Sequence, residues 1–475
     1  MSGWDEQLAS TRADYLDRLE QLGFRRTEPQ TVDGTLDMSA GSKKITIAVG
    51  ERFPFFPPSI RVRDSDLTRS WHLDPDDFLC LYTRDDHNAA PWQDPTALLG
   101  RISEWFNEAA AGWPDDVPVL DAERYLHSDS SEALLLYDDL TPFLGRYARL
   151  RQGPNGLLTL ERTNPPPVRA RRGERRKFAR VVDVGSLEYP PRDWDDLLEI
   201  IPDADVVERE VRAYRISALV LVYSRAGHSG VLAAHVFPLK DGSVAATAYR
   251  SASAHKHTTQ YRSGIHRRDL EPKRVLVVGV GAVGSFLSDM LARDGVGHLT
   301  LRDGELLHPG NIVRHLCGVD AVGLKKVFAI ERMLSDRSCV VSCEPTSLVD
   351  PSELPTLFEA HDLVIDATAD GAVTRMLGQA AETFGRHILS VCVQNDGDTT
   401  RVDVIPPISG DPLPPSPQRT SAAPAFFEGG CGDPISPTPP HAVIDAAALA
   451  ARHAVGLLVS RTIHGAGELR DTPNS

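Results

Sequence analysis

A glycine-rich turn followed closely by basic and acidic side chains is the part of this chain best suited to chemistry on phosphates. Gly279, Gly281 and Gly284 form a G-x-G-x-x-G pattern, and Asp303, Asn311, Arg314, Lys325 and Lys326 come after it. The first glycine permits a sharp turn, the second lets backbone approach a phosphate, and the third allows a helix to pack closely. Asp303 stands about 20 residues further on, where a carboxylate meets ribose hydroxyls. Up to Asp303, an NAD site and an ATP site fit equally well. A dehydrogenase has no evident use for Asn311, Arg314, Lys325 and Lys326 so close behind the ribose carboxylate. A triphosphate has one, because phosphoryl and nucleotidyl transfer build charge on phosphate oxygens that Arg and Lys stabilise. Further along, HDLVIDATAD from His361 to Asp370 offers Asp366 and Asp370. A carboxylate there suits Mg²⁺ shared with ATP phosphates.

The elements that must position these groups are legible around them. Val275 to Val278 is an apolar run stopping at Gly279, which reads as a buried parallel strand entering a tight turn. The helix that starts near Ser285 carries Phe286, Leu287, Met290 and Leu291 on one face, and a second strand runs from His298 to Leu301. In an open α/β sheet, ligands bind at the carboxyl ends of the strands. The glycine turn, Asp303 and the Asp366–Asp370 segment all fall at such ends.

This constellation resembles the adenylyltransferase superfamily that activates ubiquitin-like proteins, including the ThiF and MoeB enzymes and the ubiquitin-activating enzymes. The resemblance covers roughly residues 275 to 375 and implies a Rossmann-like α/β adenylation domain using ATP and Mg²⁺. Carried over by motif, the glycine turn falls on Gly279, Gly281 and Gly284, and the ribose aspartate on Asp303. The N-x-x-R pair falls on Asn311 and Arg314, and the lysine three positions after Gly323 is Lys326. Asp370 keeps the family's spacing from the magnesium aspartate to Arg375, while Asp366 sits one residue further upstream than usual, so both stay open as metal ligand. The alternative is an NAD-binding or degenerate Rossmann domain.

With 475 residues the chain has room for two or three domains, each with its own core. A net charge of −15 with 25% charged residues argues against a general nucleic-acid binder, which needs a basic surface. No apolar run approaches about 18 residues and the N-terminus lacks a basic-then-apolar signal, so the expectation is a soluble, cytoplasmic protein without a membrane partner. Cys80, Cys317, Cys339, Cys343, Cys392 and Cys431 are too few for a disulfide framework in so long a chain. They include no C-x-x-C pair, and a structural zinc is not expected.

Residues 1–120 have a different pattern. Leu8, Tyr15, Leu16, Leu19 and Leu22 mark an amphipathic helix, and short strands follow at Gly34–Met38 and Lys44–Val49. Pro54, Pro57 and Pro58 fix an irregular segment ahead of the strand Ile60–Val62. Then come Trp71, His72, the segment around Cys80, Trp92, and a helix from Thr96 to Phe106. This order is similar to the ubiquitin-conjugating-enzyme (UBC) fold, an α+β domain in which a proline-rich stretch precedes a histidine motif and an active-site Cys-Leu. The resemblance implies Cys80 as an acyl-carrying nucleophile. The family's His-Pro-Asn motif is replaced by His72-Leu73-Asp74, so its asparagine is lost or its role passes to another group, with Asn88 a candidate. Asp74, Asp85 or Asp86 could orient or deprotonate an attacking lysine. A buried apolar cysteine is the competing reading of Cys80, because Leu79 and Leu81 flank it.

Residues 121–260 read as a linker and β-rich middle region, with an antiparallel meander between Ile216 and Tyr249. Ahead of it, Arg169, Arg171, Arg172, Arg175, Arg176 and Lys177 follow three prolines, as a solvated linker or as a docking site for an acidic partner. Residues 261–475 form the adenylation domain. Within it, Cys392 reads as structural, and a proline-rich stretch from 406 to 440 places Cys431 among glycines that free the backbone and expose the sulfur. In activating enzymes a mobile cysteine attacks the acyl-adenylate, and the resemblance gives that role to Cys431. It also suggests Arg262 as an arginine sent into the ATP site of a homodimer partner.

Taken together, the chain resembles the fused conjugating-plus-activating proteins of bacterial antiphage operons, such as the transferase of cyclic-oligonucleotide-based signalling systems (CBASS). The resemblance implies catalytic roles for Cys80, Cys431, Arg314 and Lys326. It also implies a protein substrate with a free C-terminus, either a ubiquitin-like protein or a nucleotidyltransferase, and a target protein amine. A sulfur-carrier adenylyltransferase and a non-catalytic scaffold are the alternatives from other classes.

Overall fold

The computed structural model describes residues 3–38, 41–63, 70–83, 85–114, 116, 119–127, 133–163, 178–255, 258, 262–419, 426–427, 434–461 and 464–472. Cys431 and the basic run from Arg169 to Lys177 lie outside the described residues. The chain divides into two compact units, residues 1–255 and 256–475.

The second unit is built on a seven-stranded sheet. Its strands lie in the order Val340–Glu344, His298–Arg302, Arg274–Val278, Leu363–Asp366, Ile388–Gln394, Thr399–Ile405 and Gly467–Asp471. The first five are parallel, and each of the last two pairs antiparallel with the strand before it. The central run of Val275, Leu276, Val277 and Val278 is fully buried, as a parallel strand covered on both faces must be. From Arg274–Val278 the chain winds outward to one side through two strands, then returns to Leu363–Asp366 on the other. That reversal opens a crevice at the carboxyl ends of the strands, where such sheets take ligands.

Helix Ala282–Asp294 packs on one face through Leu287 and Leu291, with Phe286 and Met290 partly buried beside them. Its neighbour is helix Pro440–Leu458, which buries Ala446, Ala447, Ala450, Ala451 and Ala454 in the same core. At 19 residues this helix is long and apolar enough to cross a membrane, contrary to the expectation that no apolar stretch approaches that length. Small alanine side chains let it lie close against the sheet and the glycine-turn helix, so its apolarity serves a core face here.

In the first unit, helix Gly3–Gln21 buries Tyr15, Leu16 and Leu19 against an antiparallel sheet of Arg25–Glu28, Thr31–Met38, Gly41–Ala48 and Ser59–Arg63. Helix Pro95–Ala110 closes the same core with Leu98, Ile102, Trp105 and Phe106. Asp94 caps that helix by accepting from Ala97 N, with Pro95 at the first helical position. Trp92 ties down the proline segment, its Nε1 donating to Pro54 O at 2.8 Å, and Tyr15 Oη holds Trp92 in turn by donating to Trp92 O at 2.8 Å.

Beyond residue 120 an eight-stranded mixed sheet follows. The expected meander forms its edge, with Ala218–Arg225, His228–Pro238 and Val244–Ala248 pairing antiparallel. Helices Trp194–Ile200 and Ala204–Arg212 cover one face through Trp194, Leu197, Val207 and Val211. Trp71, from the segment ahead of Cys80, sits in that core beside Tyr125 and Tyr223.

Candidate active site

The glycine turn occupies the crevice of the second unit. Gly279 has φ +83°, and a Cβ there would stand 2.9 Å from the backbone of Thr368. Gly284 is more confined, since a Cβ would fall 1.9 Å from Gly279 O. At Gly281 a Cβ would meet nothing within 4 Å, because this residue faces the open cleft at the start of helix Ala282–Asp294. The three positions therefore separate into two that the protein's own packing demands and one that leaves room for an approaching ligand. The helix N-terminus beside Gly281 presents free N–H groups and positive dipole, which favour an anion.

Asp303 follows strand His298–Arg302 and ties the turn in place, its Oδ2 accepting from Val280 N at 2.9 Å and its Oδ1 from Glu305 N at 2.8 Å. Arg314, Lys326 and Asp370 line the same cleft of about 540 Å3, together with Gly279, Gly281 and Asp303. Lys326 is 6% exposed and opens helix Lys326–Met333; its ammonium pairs with the Glu305 carboxylate at the cleft wall. Arg314 Nη1 lies 3.5 Å from Thr438 O, ahead of helix Pro440–Leu458. Asn311 is absent from the cleft lining. Its Oδ1 accepts from His308 N at 2.9 Å and so closes the turn Pro309–Arg314 that carries Arg314.

The two candidate metal carboxylates have different surroundings. Asp366 is 1% exposed at the end of its strand and surrounded by donors: Thr368 N at 3.0 Å, Thr368 Oγ1 at 2.6 Å, Thr374 Oγ1 at 2.5 Å and Ser390 Oγ at 3.4 Å. Asp370 is exposed, lines the cleft, and caps helix Gly371–Thr383 with Oδ1 accepting from Ala372 N at 2.8 Å. Capping uses only one oxygen of the carboxylate, Oδ1. Among the described residues no cluster of three or more His, Cys, Asp or Glu side chains forms a cage. Mg²⁺ fits such a place, because it is bound through one or two carboxylates, substrate phosphates and water.

In the first unit, Leu79 and Leu81 are buried in the core while Cys80 between them is half-buried and turned away from it. Burial raises the Cys80 thiol above its ordinary value, Arg124 opposes that shift, and Asp74 adds to it. Cys80 N donates to His72 O at 2.9 Å, and the His72 ring stacks on Trp113 with centroids 3.5 Å apart. Asp74 Oδ1 accepts from Asp76 N and Phe78 N, and Asp86 Oδ2 accepts from Thr83 N and Oγ1, so both carboxylates shape the loops around the cysteine. Asp85 and Asn88 sit at the two ends of an exposed helical turn.

Residues 259–425 match the ThiF family. The second unit therefore carries a ThiF-like domain. Molybdopterin-synthase adenylyltransferase of Escherichia coli (strain K12) is 38% identical over 110 residues, 23% of this chain and 44% of that protein. Adenylyltransferase and sulfurtransferase UBA4 of Yarrowia lipolytica is 32% identical over 123 residues, 26% of this chain and 31% of that protein. ATP-dependent ubiquitin transferase-like protein Cap2 of Enterobacter hormaechei subsp. hoffmannii is 34% identical over 116 residues, 23% of this chain and 19% of that protein. The chain thus spans less than half the length of each of these curated relatives.

Several residues of the ThiF domain that hold the cleft together are invisible to motif reading. Arg302 is 3% exposed beneath the nucleotide edge, bidentate to Glu353 at 2.7 and 3.0 Å and 3.3 Å from Glu344. His315 is buried next to Arg314; its Nε2 donates to Val280 O at 2.9 Å and its Nδ1 accepts from Cys317 N at 3.1 Å. One proton satisfies both bonds, and burial lowers the ring's affinity for a second. Cys392 lines the cleft, with its thiol pushed up to about 11 by burial, which suits a packing role over a nucleophilic one. The glycine geometry yields a paired expectation. Gly284→Ala forces a Cβ into backbone and destabilises the domain by more than about 4 kcal/mol, read as a lost thermal transition. Gly281→Ala melts like the parent but weakens Mg·ATP binding by roughly tenfold or more, about 1.4 kcal/mol.

Proposed function

We propose that this chain uses ATP to activate the C-terminal carboxylate of a protein and passes the acyl group through cysteine thioesters to a target amine. The observation that carries the reading is the convergence of Arg314, Lys326, Asp303 and Asp370 with a helix N-terminus on one cleft. Asp303 would meet the ribose, and the helix N-terminus the phosphates. As the carboxylate attacks the α-phosphate and pyrophosphate leaves, charge builds on phosphate oxygens, and Arg314 and Lys326 would stabilise it. Mg²⁺ held by Asp370 supplies charge neutralisation to those oxygens when bound.

Downstream of the adenylate, Cys431 would displace AMP and form a thioester, and Cys80 would take the acyl group from it before an amine attacks. The order of elements around Cys80, helix, antiparallel sheet, proline segment, cysteine loop and helix, supports a UBC-like reading of the first unit. The Cap2 relative, whose name is that of an ATP-dependent ubiquitin transferase-like protein, supports conjugation as the outcome. Bacterial antiphage defence and a cytoplasmic setting, where ATP is available and thiols stay reduced, belong to the same reading. Arg262 does not line the cleft of its own chain, so a role for it at the nucleotide requires a homodimer.

A second reading, adenylation of a sulfur-carrier protein without conjugation, is favoured by the molybdopterin-synthase adenylyltransferase relative. It leaves Cys80 without work. Calorimetric titration of the full chain tests the nucleotide half common to both. Mg·ATP binding with no heat from NAD⁺ is expected, and preferential NAD⁺ binding would contradict both readings.

A further inference from the structure

Among the groups around Cys80, one faces the sulfur itself. Arg124 Nη2 donates to Cys80 Sγ at 3.3 Å, from a residue 44 positions away in sequence. Both ends of this contact are rigidly mounted. Arg124 belongs to the helical turn Ala122–Tyr125, whose Ala122 and Tyr125 are buried. Tyr125 Oη donates to Trp71 O at 2.7 Å, its ring meets Trp71 edge-on at 5.6 Å, and the Arg124 guanidinium lies 5.1 Å from the Tyr125 ring centroid. Trp71 is braced in turn, with Nε1 donating to Glu188 O at 3.0 Å and Arg225 over its ring at 4.5 Å. On the other side, Leu79 N and Cys80 N are bonded to Ile60 O and His72 O at 2.9 Å each. The guanidinium is nevertheless at the surface, where an incoming acyl group can reach it.

We propose that Arg124 stabilises the Cys80 thiolate both as nucleophile and as leaving group. This rests on the reading of Cys80 as an acyl carrier. In the first step the Cys80 thiolate attacks a thioester carbonyl, a C–S bond forms, and the donor sulfur leaves with its electron pair. In the second an amine attacks the Cys80 thioester, a C–N bond forms, and the C–S bond breaks. Sulfur then departs as a thiolate beside Arg124, and the ammonium proton goes to solvent base. A fixed guanidinium beside the sulfur raises the fraction of Cys80 present as thiolate for the first step, and it stabilises the charge that develops on the departing sulfur in the second. The charged and titratable groups near the sulfur are Arg124, Asp74 and Tyr125, with Asp121 near Arg124. Arg124 is the cation of this group, and Asp74 works against the thiolate.

The test is the pH profile of Cys80 alkylation by iodoacetamide in the full chain, followed on the Cys80 peptide by mass spectrometry. Arg124→Gln is expected to move the profile up by about one pH unit and slow alkylation near neutrality roughly tenfold, with the alkaline plateau unchanged. Arg124→Lys restores most of the difference. A purely structural role predicts superimposable profiles for all three proteins, and that result overturns the proposal. ATP-dependent charging of Cys80, measured on the same proteins, separates this inference from the reading beneath it. Failure of Cys80 to charge in the parent protein sinks the acyl-carrier reading. Normal charging of Arg124→Gln, with an unshifted profile, sinks the role of Arg124 alone.

Discussion

Lys326→Ala lowers ATP–pyrophosphate exchange by about 10²–10³-fold, the cost of removing one preorganised charge from a transition state. The assay reads pyrophosphate incorporation into ATP, with the proteins encoded beside this gene supplied as candidate carboxylate donors. The size of the effect follows from the position of the ammonium. Lys326 is buried at the cleft wall, so water cannot replace its charge, and its partner Glu305 is mostly exposed. Deleting the lysine leaves the Glu305 carboxylate at the cleft wall without this ion-pair partner, so attraction is lost and repulsion gained. Exchange within threefold of the parent would mean that Lys326 serves the fold through Glu305 and plays no part at the phosphates.

The second large effect separates two aspartates four residues apart. Asp370→Asn keeps a good helix cap, since asparagine caps as well as aspartate, so the domain melts as before. It removes the charge that would hold Mg²⁺, and exchange falls by roughly 10²-fold or more at low Mg²⁺, with partial recovery at high Mg²⁺. Asp366→Ala has the opposite profile. It strips one N–H and three hydroxyl donors of a buried acceptor, costing about 2–4 kcal/mol of stability. Thermal unfolding and a Mg²⁺ titration of exchange check both. A Mg²⁺ dependence that moves in a folded Asp366 variant and not in Asp370→Asn would reverse the assignment.

The contrast between these aspartates marks where sequence reasoning reaches its limit. The strand Arg274–Val278, the glycine turn and Asp303 are legible because each is fixed by local rules: an apolar run, backbone angles that glycine alone tolerates, and a set distance to the next strand end. Whether an aspartate faces a cleft or a knot of hydroxyls depends on which way one loop turns, and spacing does not carry that. Asn311 illustrates the same limit, since the spacing groups it with phosphate ligands while the structure places it as the cap of the turn bearing Arg314. Arg302 and His315 are not legible in the sequence because their partners, Glu344, Glu353 and Val280, lie between 35 and 51 residues away. In residues 121–255 the meander is readable from its turns. The strands Leu134–Tyr137, Tyr147–Gln152 and Leu157–Arg162 are short and pair partly in parallel, so no period or hairpin signal announces them. The contact between Arg124 and Cys80 exists only once that sheet and the cysteine loop share a core.

An ATP-driven acyl relay ending on Cys80 leaves a covalent intermediate that intact-protein mass spectrometry of the full chain detects after incubation with Mg·ATP and the products of the flanking genes. The expected result is an ATP-dependent adduct that maps to Cys80, is released by thiol reductant, and is missing in Cys80→Ala. An adduct that never reaches Cys80, or amide conjugates that form at the parent rate in Cys80→Ala, would contradict it.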